Sequence, residues 1–82
     1  MSDFAKRPER VSTWEPCTIA RSDGTTVQGT LRNLSNTGFG VETKCYLVEH
    51  ERIEMRIIGL GRLKGTIRWA HGPRAGGTLD LG

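Results

Sequence analysis

The stretch VQGTLRNLSNTGFGVET, Val27 to Thr43, decides how this 82-residue chain is read. Val27, Gly29 and Leu31 alternate with Gln28, Thr30 and Arg32, and beyond them Phe39 and Val41 share a face. Successive side chains on an extended strand point to opposite sides, so each run buries one face and wets the other. Between the runs, Asn33-Leu34-Ser35-Asn36-Thr37-Gly38 gathers the residue types that turns use. The stretch therefore predicts two strands and a tight connection, and leaves open whether that connection also binds something.

The same period continues on both sides. Upstream, VSTWEPCTIA is separated from the quoted stretch by RSDGTT, where Asp23-Gly24 marks a tight turn and hence a hairpin. Pro16 belongs at an edge or bulge of that first strand. Downstream, Ile53, Met55 and Ile57 alternate with Arg52, Glu54 and Arg56, and Leu63, Ile67 and Trp69 oppose Arg62, Lys64 and Arg68. A last strand, Gly77 to Leu81, follows the loop HGPRAGG. Only KCYLVEHER has the composition for a short helical turn. Six short strands with little helix predict a small six-stranded antiparallel β-barrel, because closure removes the unpaired edges of an open sheet. Ile19, Leu31, Val41, Ile57, Ile67 and Leu79 are expected inside it. A basic arm, residues 1–10, precedes one barrel domain, residues 11–82.

A chain of 9.1 kDa suffices for one small core. Nothing at the start resembles a secretion signal, and no run approaches the ~18 apolar residues of a membrane span. The expected compartment is the cytoplasm, without membrane insertion, where Cys17 and Cys45 stay reduced. Those two with His50 and His71 would total four zinc ligands, but no C-x-x-C knuckle is present. The expectation is no metal, two buried thiols and two surface imidazoles. From Arg52 to Arg74 six bases face one acid, Glu54, so anionic ligands or partners are favoured on one side.

Catalytic readings fall away. GLGRLKG has the glycines of a phosphate loop, yet it leads into the strand TIRWA and not into the helix whose amides would hold a phosphate. Ser35 lacks the strand-to-helix elbow of a nucleophile, and no carboxylate pair sits on a recognisable motif. An enzyme is not expected. Single-stranded nucleic acid is disfavoured as well, because five aromatics do not interleave with the basic run.

Asn33, Ser35 and Gly38 spell N-x-S-x-x-G, the basic group KRPER, Lys6 to Arg10, lies just before the first strand, and GTIRWA and GGTLDLG come later. Together with the barrel pattern, these resemble the PilZ domain, a bacterial module that binds the second messenger cyclic di-GMP. The resemblance runs from Lys6 to Leu81. It implies cyclic di-GMP as the ligand, a protein partner that reads the bound state, and an N-terminal arm ordered by the ligand; it also implies no further cofactor. The family's second motif, [D/N]-x-S-x-x-G, is met in full. Its first, R-x-x-x-R, is irregular: counting back four from Arg10 gives Lys6, while Arg7 leaves only two residues between. A C-terminal helix often found in the family is expected to be absent.

Chemistry assigns the roles. A guanidinium forks onto phosphate oxygens or the O6/N7 edge of guanine, where an ammonium is only a point charge, so Arg10 is the principal contact and Lys6 and Arg7 compete for the second. Asn33 offers a carbonyl to guanine N–H groups, Ser35 a hydroxyl, and Gly38 a positive φ or a close approach. The alternatives stay open: the trio also describes a plain turn, KRPER a frayed terminus. Trp69 follows the core alternation and is expected to be packed inside, while Trp14 has a free face for stacking. The readings are thus a cyclic di-GMP receptor or, given the irregular first motif, an adaptor that meets proteins without the nucleotide.

Overall fold

The computed structural model describes the backbone of residues 11–80 and the side chains of residues 14–80. The arm, with Lys6, Arg7 and Arg10, lies outside the described residues, as does Leu81. The elements are β1 (Val11–Arg21), β2 (Thr26–Leu34), β3 (Gly38–Thr43), β4 (Arg52–Ile57), β5 (Gly61–His71) and β6 (Arg74–Leu79), with no helix among the described residues. All pairings are antiparallel, and the strands close into a barrel in the order β1-β2-β3-β6-β5-β4. The expected all-β six-stranded barrel is the fold.

Alternation builds the interior. Ile19, Leu31, Val41, Met55 and Ile67 are all but sealed from solvent, and Cys17, Phe39, Ile53, Ile57 and Ala75 complete the lining. Removing a side chain of this size from water stabilises by about 1.5–3 kcal/mol, so Ile67→Ala costs about 2–5 kcal/mol once its cavity is counted. Of the six aliphatic residues expected to line the barrel, five are buried and Leu79 is partly buried, packed against the core from the last position of β6. Pro16 sits beside the β1 bulge, one residue before β1 begins to pair with β4, where its missing N–H leaves no gap in that ladder.

Three local expectations change. KCYLVEHER forms no helix: Leu47 alone plugs the core, and Glu49-His50 makes a turn with His50 at φ 76. The Glu51 carboxylate holds this connection, accepting Arg21 Nε at 2.7 Å, Arg21 Nη2 at 3.0 Å and the Val48 amide at 3.0 Å. Cys45 is exposed in the same connection because only Leu47 turns inward there, whereas Cys17 is buried and its thiol is pushed up to about 11 by desolvation. Finally, β6 starts at Arg74: Gly72, at φ 62, and Pro73 suffice for the turn, and RAGG is strand. No helix of the described residues is long and apolar enough to cross a membrane.

Candidate functional site

The loop between β2 and β3 is held by Ser35. Its Oγ accepts the Gly38 amide at 3.1 Å and the Thr37 amide at 3.4 Å, while its own amide donates to the Gly38 carbonyl at 2.9 Å. The Leu79 amide donates to the Thr37 carbonyl at 2.9 Å and ties the loop to the end of β6. Gly38 is needed for close approach and not for a positive φ, since a Cβ there would lie 2.8 Å from the Gly77 carbonyl oxygen. Ser35 and Gly38 therefore build the turn.

Asn33 faces elsewhere. Three ladders are interrupted by bulges, between Ser12 and Glu15 on β1, Leu31 and Asn33 on β2, and Ile67 and Trp69 on β5. A bulge inserts an extra residue and re-aims the side chains after it. The β2 bulge makes Asn33 the partner of Gly40, and the β5 bulge makes Trp69 the partner of Gly76, which is itself paired with Gly40. The result is a row across four strands, Asn33, Gly40, Gly76 and Trp69, on the face opposite the buried Val41 and Ala75.

The two glycines make this row a bed. A Cβ on Gly40 would stand 2.8 Å from Asn33 Nδ2, and one on Gly76 would stand 2.6 Å from Trp69 Nε1. Both side chains thus lie on bare backbone, which any larger residue would block. Trp69 is 49% exposed, which corrects the expectation of a packed indole: the extra residue, Arg68, inverts the alternation that Leu63 and Ile67 follow.

A cleft of about 320 Å³ follows the row, lined also by Trp14, Arg32 and Arg74. The Arg32 guanidinium stacks 3.9 Å from the centroid of the Trp14 ring and is ion-paired to Glu42. Arg74 pairs with no carboxylate among the described residues. The volume is at the small end of the ~300–1,000 Å³ typical of small-molecule sites. Two indoles, a carboxamide and two cations over flat backbone suit a planar, hydrogen-bonding, anionic ligand.

Of the residues singled out in the sequence, Asn33 lines this cleft, Ser35 and Gly38 form the adjoining turn, and Lys6, Arg7 and Arg10 fall outside the described residues. Sequence reading missed Arg32, Gly40, Arg74 and Gly76. A signal was available for the glycines, because glycine inside a strand marks close approach. Arg74 closes the basic run that favours anions but carried no signal of this particular site, and Arg32 carried none, being one cation among many.

Among the described residues, no three of His, Cys, Asp or Glu gather as a metal site would require. A family model described as PilZ domain matches residues 5–82, taking in the basic arm, the serine turn and the barrel. No curated protein matches the chain.

Proposed function

The chain belongs to the PilZ domain family, whose members generally bind cyclic di-GMP, and we propose that it is itself a cyclic di-GMP receptor that passes ligand binding to a protein partner. The observation that carries the proposal is the bulge-built row from Asn33 to Trp69 beside the N-x-S-x-x-G turn. One guanine lies against the row, with the Trp69 indole, itself seated on Gly76, for its face and the Asn33 carbonyl for its N–H groups. Ser35 and Gly38 hold the turn that aims Asn33. Arg10 forks onto a phosphate or the guanine O6/N7 edge, and Lys6 or Arg7 supplies the second cation. The arm folds down with the ligand, and the altered surface is what a partner meets. The work is binding, with no catalytic step.

Calorimetric titration of the chain with cyclic di-GMP tests this, beside a titration with a single-stranded oligonucleotide. The expected result is saturable binding of the nucleotide alone. Arg10→Ala removes hydrogen bonds to a charged group and costs about 1.5–3 kcal/mol, roughly tenfold or more in affinity. Lys6→Arg, which restores the R-x-x-x-R spacing, tightens binding if register governs, and Arg7→Ala weakens it if chemistry does. No heat at micromolar nucleotide overturns the receptor reading and favours the adaptor.

A further inference from the structure

The β4–β5 hairpin ends in Ile58-Gly59-Leu60, with Ile58 89% exposed and Leu60 53% exposed. The turn is fixed: the Leu60 amide donates to the Ile57 carbonyl at 3.0 Å, and Gly59 and Gly61 hold φ values of 92 and 88. Neither aliphatic side chain rests on the core. Just behind the tip, Arg56 and Arg62 are direct cross-strand partners, both exposed. Like charges in that position repel. The carboxylate nearest them, Glu54, is 3.7 Å from Arg62 Nε, and Glu54 is itself paired in register with Lys64. Arg56 has no carboxylate partner among the described residues.

We propose that this hairpin is a finger that seats the domain on an anionic lipid surface, Ile58 and Leu60 entering the interface and Arg56 and Arg62 meeting the lipid phosphates. The ordering of chemistry along the finger points to a bilayer. The aliphatic tip leads, and at about 3.4 Å per residue the two guanidinium-bearing positions follow about 7 Å behind it, one on each strand. That matches the depth at which shallow interfacial segments pass from acyl chains to headgroups, about 5–10 Å. The phosphates also relieve the Arg56–Arg62 repulsion, which Glu54 offsets only on the Arg62 side, Arg56 having no carboxylate partner among the described residues. Sequence reading expects no membrane insertion because no apolar run is long enough to span; a fingertip that seats shallowly needs none. Trp69 and Gly61 lie about 27 Å apart along β5 at that same rise, so the finger and the nucleotide cleft are separate sites.

Co-sedimentation of the full chain with vesicles of phosphatidylcholine, with and without phosphatidylglycerol, tests the proposal. The expected result is pelleting only with phosphatidylglycerol vesicles, weakening as salt is raised. Ile58→Ser combined with Leu60→Ser lowers the partition coefficient about tenfold or more. Arg56→Gln combined with Arg62→Gln lowers it by a similar factor, at roughly fivefold per cation. Unchanged far-UV spectra and an unchanged response to cyclic di-GMP show that these variants remain folded, and they keep this outcome distinct from that of the nucleotide titration. The proposal is overturned if the wild type stays in the supernatant with anionic vesicles, which leaves the finger to a protein groove. It is equally overturned if the serine variant pellets like the wild type, which leaves binding to the basic strands alone.

Discussion

Trp69 lies across Gly76, its partner in the β5–β6 ladder, so closely that a Cβ on Gly76 would stand 2.6 Å from the indole Nε1. The same Cβ would stand 2.8 Å from the Phe39 carbonyl oxygen, which is backbone and cannot swing aside. Gly76→Ala should therefore displace the indole and cost about 1–3 kcal/mol in stability. Chemical denaturation measures the loss, and a red-shifted tryptophan emission reports the displaced ring. An unchanged emission spectrum would mean that Trp69 does not rest on this glycine.

Asn33 and Ser35 should separate by phenotype. Ser35→Ala removes the acceptor for the Gly38 and Thr37 amides, so it lowers stability by about 0.5–1.5 kcal/mol and weakens nucleotide binding only through the looser turn. Asn33→Ala removes a side chain that makes no hydrogen bond among the described residues, so stability holds while affinity for cyclic di-GMP falls about tenfold. Denaturation and calorimetry on the two variants check the split, and equal effects on both quantities would contradict it.

Most of this barrel was legible because strand alternation carries it. Ile53, Met55 and Ile57 point inward as their spacing predicts, and the glycines at 24, 59 and 72 mark turns with positive φ. The reading failed where a local device breaks the period. The alternation places Trp69 inside, because the Arg68 bulge leaves no mark in a one-dimensional pattern. The composition of KCYLVEHER permits a helical turn, and the anchoring of that segment by Leu47 and by the Arg21–Glu51 pair is a long-range fact. The candidate site shows the same division. Asn33, Ser35 and Gly38 lie in one short motif and could be found; the Gly40-Gly76 bed and Arg32 come together only through strand pairing.

The Arg21–Glu51 pair should give the fold an acid limb. Hydrogen bonding from Arg21 is the main cause that holds the Glu51 carboxyl below its ordinary value, opposed by burial and aided by the Val48 amide. The folded value therefore lies under the unfolded one, and across that interval the unfolded chain binds more protons. The stabilisation is complete above the unfolded value of about 4.3 and disappears as pH falls through the folded value. Glu51→Gln should lose about 1.5–3 kcal/mol at neutral pH and show a flatter stability profile in acid. Parallel acid profiles for variant and wild type would contradict this.

The thiols should react in two phases. Cys45 is exposed and labels quickly in the native state, whereas Cys17 is buried with its thiol held protonated, and labels only when the barrel opens. A chromogenic disulfide reagent should read one fast equivalent in buffer and a second in denaturant. Two slow equivalents would contradict the exposure of Cys45.

The central claim is that cyclic di-GMP settles on the row from Asn33 to Trp69, and Trp69 is its reporter. In a Trp14→Phe variant, emission comes from Trp69 alone, the other tryptophan of the chain. Titrating that variant with cyclic di-GMP should give a saturable change in emission at micromolar ligand or below, and adding Arg10→Ala should move the midpoint up about tenfold or more. A flat emission through that range, with the protein folded by far-UV spectroscopy, would contradict the account.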